Sequence, residues 1–130
     1  MLHEATTTPW TSQELSTVGR AEELHLASLR ADGTLRPYVT IWVVRAGDEL
    51  YVRSAHGPAN GWYARALRSG AGRIRADGLE RDVLFVDPAP DVHGIDAAYR
   101  AKYDRYGAAI VGSVVEEKAA EVTIRLLPRH

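Results

Sequence analysis

Residues Leu50–Leu67 carry the sequence LYVRSAHGPANGWYARAL, which is the most informative stretch of the chain. Its first residues predict a short strand, its Gly- and Pro-containing centre predicts a turn, and its last residues predict the start of a helix. A helix N-terminus offers free backbone N–H groups, and arginine adds planar, bidentate donors for phosphate. The stretch therefore predicts an anion pocket for a cofactor phosphate; the alternative is a solvated basic loop before a surface helix.

Three runs of sheet-forming residues up to this junction predict a meander of antiparallel strands: Glu23–Leu29, Tyr38–Arg45 and Leu50–Ser54. The middle run is the strongest strand prediction, because nearly all of its residues are β-branched or aromatic. The segments Ala31–Thr34 and Ala46–Glu49 supply the turns, each with a glycine that tolerates a positive φ.

Three more strands are predicted beyond the junction, over Gly72–Ala76, Arg81–Val86 and Glu121–Leu127. The first two are joined by Asp77-Gly78, a dipeptide typical of a tight hairpin turn. Six antiparallel strands with dispersed helices predict an α+β, mainly β, fold in the form of a small barrel or curved sheet. The βαβ alternation of a doubly wound parallel sheet is absent.

The clearest helix start is at Trp10–Val18, where Thr11 and Glu14 form a capping box and Trp10 and Leu15 are spaced as a hydrophobic staple. Further helices are predicted over Ala59–Ser69, Gly94–Tyr106 and Ser113–Ala120. Asn60 is the expected N-cap of the second helix and Gly70 its stop. The third helix presents one apolar face made of Ile95, Tyr99, Tyr103 and Tyr106.

Composition predicts one soluble domain over residues 1–130, with a disordered tail over residues 1–9. The chain is 45% hydrophobic and 25% charged, with a net charge of −1. The absence of a global basic field argues against nucleic acid or an anionic membrane as a partner. The chain has no cysteine and no signal-peptide pattern, so we expect a cytoplasmic location.

Conventional catalytic patterns are missing from the sequence. The five histidines, at positions 3, 25, 56, 93 and 130, lack the spacing of a metal site, so no metal is predicted. Neither a phosphate-binding P-loop nor a Gly-x-Ser-x-Gly elbow occurs. Ser54 and His56 lie close together without an evident acid as a third member. The catalytic residues are therefore unknown at this stage.

The positive signal stays at the strand–helix junction. Arg53 and Ser54 end a strand, where side chains can reach a ligand, while Asn60 and Gly61 place free N–H groups nearby. On the neighbouring strand, Trp42 is either a stacking platform for a flat ring or a core residue. Four arginines that are close in sequence could also line a basic patch: Arg65, Arg68, Arg73 and Arg75.

These residues resemble the FMN-binding split-barrel superfamily, and most closely its deazaflavin-dependent nitroreductase-like branch and an adjacent domain-of-unknown-function family. The resemblance covers residues 20–87. It is carried by Arg36-Pro37, the turn and strand Gly47–Val52, Arg53-Ser54, Gly57, the helix opening Gly61-Trp62-Tyr63, and Gly72-Arg73-Ile74. The chain departs from the pattern at Arg65-Ala66-Leu67, where relatives carry Asn-Leu, and at Arg30-Ala31-Asp32-Gly33, which replaces a basic Gly-Arg-Lys segment.

The resemblance implies a six-stranded antiparallel split β-barrel with flanking helices, a homodimer, and a flavin or deazaflavin held in a groove. It implies that the ring is lined by Tyr38, Val39 and Thr40, through backbone groups. It implies that the phosphate end is surrounded by Arg53, Ser54, Gly61, Trp62 and Arg65. Spacing alone adds His56 and Asn60 to the phosphate end, and the position of Trp42 on the adjacent strand adds it to the ring.

Two functions remain open from the sequence. The first is an oxidoreductase that uses FMN or a deazaflavin to reduce a small organic acceptor, in which the ring carries the hydride and the protein orients the substrate. The second is a non-catalytic split-barrel module that binds a flavin-like or other phosphorylated ligand. Neither the substrate nor the electron donor can be predicted from these residues.

Overall fold

The computed structural model describes residues 9–53, 61–86, 92–103 and 123–129. Within these ranges the chain forms three helices: α1 (Ser12–Arg20), α2 (Gly61–Ser69) and α3 (Val92–Tyr103). The same ranges contain seven strands: β1 (Leu24–Ser28), β2 (Val39–Ile41), β3 (Val44–Ala46), β4 (Glu49–Arg53), β5 (Ala71–Ala76), β6 (Leu79–Val86) and β7 (Thr123–Pro128).

All seven strands belong to one antiparallel sheet with the order β2-β1-β5-β6-β7-β4-β3. The two end strands, β2 and β3, are consecutive in the chain and are separated only by Trp42 and Val43. Consecutive Cα atoms are about 3.8 Å apart, so the end of β2 and the start of β3 lie at most about 11 Å apart. The sheet must therefore curl until its two edges nearly meet, which gives a half-barrel.

The predicted number of six strands is wrong, because the run Tyr38–Arg45 is two strands rather than one. Its first half pairs with β1 and its second half with β4, at opposite ends of the sheet. Between the halves, Val43 bonds to α3 instead of to a strand. Its N–H donates to the Tyr103 hydroxyl at 3.3 Å, and its carbonyl accepts from Lys102 Nζ at 2.6 Å.

The predicted start of α1 is confirmed. The Glu14 N–H donates to Thr11 Oγ1 at 3.0 Å, and the Thr11 N–H donates to Glu14 Oε1 at 2.9 Å. Trp10 and Leu15 are both buried in the main core, as the staple pattern predicts. The helix runs from Ser12 to Arg20, two residues beyond its predicted end.

The hairpin between β5 and β6 is also confirmed. Asp77 and Gly78 both have positive φ, 47° and 84°, as the two central residues of a type I′ turn require. In β7, Ile124 and Leu126 are buried as their alternation predicts, and the strand begins at Thr123.

The interior consists of two apolar clusters. The main core lies between the concave sheet and helices α1 and α2. The second cluster lies under α3 and contains Val44, Tyr51, Ile95, Tyr99 and Tyr103. The predicted apolar face of α3 is thereby confirmed for its three described members, and the helix begins at Val92, earlier than predicted.

Several predictions fall outside the described residues: nearly all of the disordered tail, Tyr106 and the helix Ser113–Ala120. Across the described ranges no helix is long and apolar enough to cross a membrane. The same ranges contain no group of three or more His, Asp or Glu side chains placed to hold a metal ion.

Candidate functional site

A groove of about 570 Å³ separates the β1–β2 connection from helix α2, which is within the size range of small-molecule sites. It is lined by Leu29, Arg30, Ala31, Gly33, Arg36, Arg65, Arg68 and Ser69. Four of these eight residues are arginines and none is acidic. We call this site the arginine groove.

The first wall of the arginine groove is the turn that connects β1 to β2, and backbone hydrogen bonds hold its shape. The Arg30 N–H donates to the Thr34 carbonyl at 2.7 Å, and the Gly33 N–H donates to the Arg30 carbonyl at 2.9 Å. The Arg36 N–H donates to the Ser28 carbonyl at 2.9 Å. Gly33 has a φ of 86°, which a residue without Cβ adopts at no steric cost.

Side chains fix the same wall. Arg30 Nη1 donates to Thr34 Oγ1 at 3.2 Å and to the Leu35 carbonyl at 3.0 Å. Asp32 Oδ1 accepts from the Thr34 N–H at 3.0 Å and from the Thr34 hydroxyl at 2.7 Å. These bonds from Thr34, helped by the charge of Arg30, lower the pKa of Asp32 below its ordinary value. Arg30 is therefore presented from a preorganised turn.

The second wall is one face of α2. Trp62, Tyr63 and Ala66 of this helix are buried in the main core. Arg65 and Arg68 are three residues apart and so lie on the same side of the helix, facing the groove. The guanidinium of Arg65 folds back over the first turn of the helix. It lies so close to Gly61 that a Cβ placed on Gly61 would be 2.8 Å from Arg65 Nη1.

Most of the positive charge of the arginine groove has no carboxylate partner among the described residues, although the Asp32 carboxylate interacts electrostatically with Arg30. Among the described residues, no carboxylate pairs with Arg36, Arg65 or Arg68. The arginines of β5 are different, since Arg73 Nε lies 2.8 Å from Asp82 and Arg75 Nε lies 2.6 Å from Glu80. The chain as a whole has a net charge of −1, so the surplus of positive charge is a local feature of this groove.

The structure brings two of the predicted phosphate-end residues together, Gly61 and Arg65. A third, Arg53, points elsewhere: it is 3% exposed, its Nε donates to Thr123 Oγ1 at 2.8 Å, and its Nη1 pairs with Asp96. Its guanidinium also lies 5.4 Å from the ring centre of Tyr99. Trp62 is buried in the core, and Ser54, His56 and Asn60 lie outside the described residues.

The predicted ring-binding residues lie on or beside β2, the edge strand that follows the groove wall. Thr40 is exposed, and its hydroxyl oxygen lies 3.0 Å from His25 Nδ1. Tyr38 has the Arg75 guanidinium 4.5 Å above its ring, and Val39 is half-buried. One face of the Trp42 ring is covered, because it stacks on the Tyr103 ring with 3.9 Å between the ring centroids and an interplanar angle of 3°.

Three groove residues were not among the predicted cofactor-binding residues: Arg30, Arg36 and Arg68, of which Arg68 had been considered only for a basic patch. Each carried a signal in the sequence. Arg30 and Arg36 flank the Asp32-Gly33 turn, and a turn with an arginine on each side presents two cations from one rigid support. Arg68 follows Arg65 at the spacing of one helix turn. The sequence pattern does not reveal that α2 packs against β1, and this packing brings the two pairs of arginines to one groove.

Comparison with known proteins gives a family and a fold. The family model described as "Uncharacterized protein conserved in bacteria (DUF2255)" matches residues 14–126. No curated protein matches the sequence.

Among solved structures, the conserved hypothetical protein Rv2991 from Mycobacterium tuberculosis has a TM-score of 0.64 and 12% identity, over 100% of this chain and 87% of that chain. HutZ, the heme storage protein from Vibrio cholerae, has a TM-score of 0.60 and 15% identity, over 95% and 92%. An F420 reductase has a TM-score of 0.52 and 19% identity, over 88% and 91%. At this identity the likeness establishes the fold, and the predicted resemblance to split-barrel proteins is confirmed.

Proposed function

We propose that this chain, which belongs to the DUF2255 family of bacterial proteins, binds a flavin or deazaflavin with the phosphate end of the cofactor in the arginine groove. The observation that carries the proposal is the set of four groove arginines without an acidic residue in the lining. Guanidinium groups bind phosphate through paired, charge-assisted hydrogen bonds. A ligand that brings negative charge would supply the partners that the protein does not provide.

The position of β2 suits the ring of such a cofactor. Arg36 of the groove wall precedes Val39, the first residue of β2, by only three positions. Because β2 ends the sheet order, its outer edge carries backbone N–H and carbonyl groups without a strand partner among the described residues. Tyr38, Val39 and Thr40 would offer these groups to the polar edge of the ring.

The remaining predicted residues take different roles in this proposal. Gly61 lets the Arg65 guanidinium lie against the first turn of α2, where it would reach the phosphate. Arg53 would act as a positioning residue through Asp96 and Thr123, and Trp62 through its packing in the core. Ser54, His56 and Asn60 remain proposed contacts of the phosphate end.

The activity we propose is the reduction of a small organic acceptor. A bound flavin or deazaflavin supplies the hydride transfer, so the protein needs no acid–base pair of its own. The chain would bind the phosphate and offer the backbone groups of the β2 edge to the polar edge of the ring. A face of the ring would remain accessible to the acceptor. We further propose that two copies of the chain form a homodimer with the cofactor between them.

The binding step is tested by titrating the full chain with FMN and, separately, with an oxidised deazaflavin, followed by fluorescence and visible absorbance. We expect saturable binding of at least one of them, weakened about tenfold by Arg65→Gln, since a hydrogen bond to a charged group contributes about 1.5–3 kcal/mol. Arg100→Gln is the matched control, because Arg100 is an exposed arginine on α3 outside the groove. Failure of both cofactors to bind would refute the proposal.

Catalysis is tested separately from binding. The chain loaded with the cofactor that binds is supplied with a chemical reductant and a panel of nitroaromatic and quinone acceptors, and reoxidation of the cofactor is followed by absorbance. Reoxidation faster than that of free cofactor, and lost in Arg65→Gln at low cofactor concentration, supports an enzyme. Binding without any acceleration would leave the non-catalytic module as the function.

A further inference from the structure

We infer that the arginine groove is built for a ligand with two or more ionised groups, such as a diphosphate or a phosphate with carboxylates, rather than for a single phosphate. The inference rests on the proposed function for the nature of the rest of the ligand. Four guanidinium groups line the groove, whereas a phosphate monoester carries a charge of about −1.5 to −2 at neutral pH. With Asp32 beside Arg30, three of these arginines have no carboxylate partner among the described residues, so one phosphate would leave about one positive charge unmatched.

The four arginines come from two separate walls. Arg30 and Arg36 belong to the β1–β2 connection, and Arg65 and Arg68 belong to α2. A volume of about 570 Å³ between them is of the size that holds a whole small molecule. A ligand with an ionised group at each wall would satisfy both pairs, while a single phosphate would sit on one wall or between them.

The α2 wall is electrostatically costly without a ligand. Arg65 and Arg68 are like charges one helix turn apart, an arrangement that destabilises a helix. The Arg65 guanidinium also lies over the first turn of α2, where the helix dipole disfavours a cation. Residues that oppose local stability in this way are typical of binding sites. A ligand of high negative charge would offset both the repulsion between Arg65 and Arg68 and the unfavourable interaction of Arg65 with the helix dipole.

A single-stranded nucleic acid would bring many phosphates, but the groove does not suit one. None of the described residues that line it has an aromatic side chain on which a base could stack. The net charge of −1 gives the chain no overall electrostatic attraction to a nucleic-acid backbone. The geometry therefore favours a compact polyanion of small-molecule size.

The test is isothermal titration of the full chain with orthophosphate, pyrophosphate and tripolyphosphate at one fixed ionic strength. We expect pyrophosphate to bind at least 30-fold more tightly than orthophosphate. The double variants Arg30→Gln/Arg36→Gln and Arg65→Gln/Arg68→Gln each remove one wall, so each should reduce this ratio to below threefold. Arg100→Gln should leave the ratio unchanged.

Two results would overturn the inference: equal affinity for orthophosphate and pyrophosphate, or a ratio that survives the loss of either wall. Circular dichroism verifies that each variant is folded, and the single variants Arg36→Gln and Arg68→Gln replace a double variant that fails. The same samples are titrated with FMN and an oxidised deazaflavin. Cofactor binding without a pyrophosphate preference overturns the inference alone, and a pyrophosphate preference without cofactor binding overturns the proposed function alone.

Discussion

Two regions of this molecule use arginine in opposite ways. Arg53 lies in the interior with its side chain fully buried, paired with Asp96, bonded to Thr123 and placed over the ring of Tyr99. The arginine groove holds four arginines at the surface, and none of the described residues in its lining is acidic. The first region has its charged partner within the protein, whereas Arg36, Arg65 and Arg68 of the second have no carboxylate partner among the described residues.

The difference shows that the partners of an arginine, rather than its place in a motif, indicate its role. Arg53 and Arg65 lie in the same strand–turn–helix stretch of the sequence, and that stretch predicted one phosphate site for both. In the structure, Arg53 faces α3 and Arg65 faces the β1–β2 connection. Variants in one region or its surroundings should therefore affect either stability or anion binding, and both quantities are measured for each variant.

The largest expected effect is on stability, from Asp96→Ala. This change leaves the buried Arg53 guanidinium without its carboxylate, and breaking one partner of a buried pair costs about 3 kcal/mol. Urea unfolding should show this loss, while isothermal titration should show unchanged affinity for pyrophosphate. Asp48→Ala is the control, because its ion pair with Arg45 is exposed and contributes less than about 1 kcal/mol. Unchanged stability with weakened binding would place Arg53 in the ligand site.

Most of the secondary structure follows from local sequence patterns. The capping box of α1, the Asp77-Gly78 turn and the buried face of α3 each depend on residues close together in the chain. The break between β2 and β3 does not. It depends on Lys102 and Tyr103, which lie about sixty positions away and supply the hydrogen bonds that Val43 would otherwise make within a strand.

The second largest effect concerns this break, which lies beside the buried region. In Tyr103→Phe, the Val43 N–H loses its acceptor, and an unsatisfied buried donor costs about 1–3 kcal/mol. Urea unfolding should show that loss, with pyrophosphate affinity unchanged. Tyr38→Phe is a matched control, since the Tyr38 hydroxyl is buried without a hydrogen-bond partner and its removal should not lower stability. Equal stability of the two variants would show that the Tyr103 hydroxyl does not hold the break.

The third effect is on binding and separates charge from geometry in the groove. Arg36→Gln should weaken pyrophosphate binding about tenfold, or about 1.4 kcal/mol, through loss of one charged donor. Arg36→Lys retains the charge but not the planar pair of donors, so its affinity should be intermediate. Both variants should unfold within about 0.5 kcal/mol of the parent chain, as surface changes do. If Arg36→Lys bound as tightly as the parent, charge alone would account for recognition.

The site was less predictable than the fold. The sequence predicted Gly61 and Arg65 from the helix opening, because a helix N-terminus is a local feature. The complete groove also requires Arg30 and Arg36 from a turn about thirty residues earlier, and this contact is created by the packing of α2 against the sheet. Conversely, the reason that Arg53 faces inward is Asp96, which lies 43 positions later in the chain.

The smallest effect should have the opposite sign to the first. Arg65→Gln removes a cation that repels Arg68, worth about 0.2–0.5 kcal/mol, and that opposes the dipole at the first turn of α2, worth about 0.3–1 kcal/mol. The variant should therefore be slightly more stable than the parent while it binds pyrophosphate more weakly. Thermal unfolding at low and high salt measures this gain, which should shrink as salt screens the charges. Arg65→Lys retains the charge and should show no gain. A loss of stability in Arg65→Gln would mean that Arg65, like Arg53, has its partners within the protein.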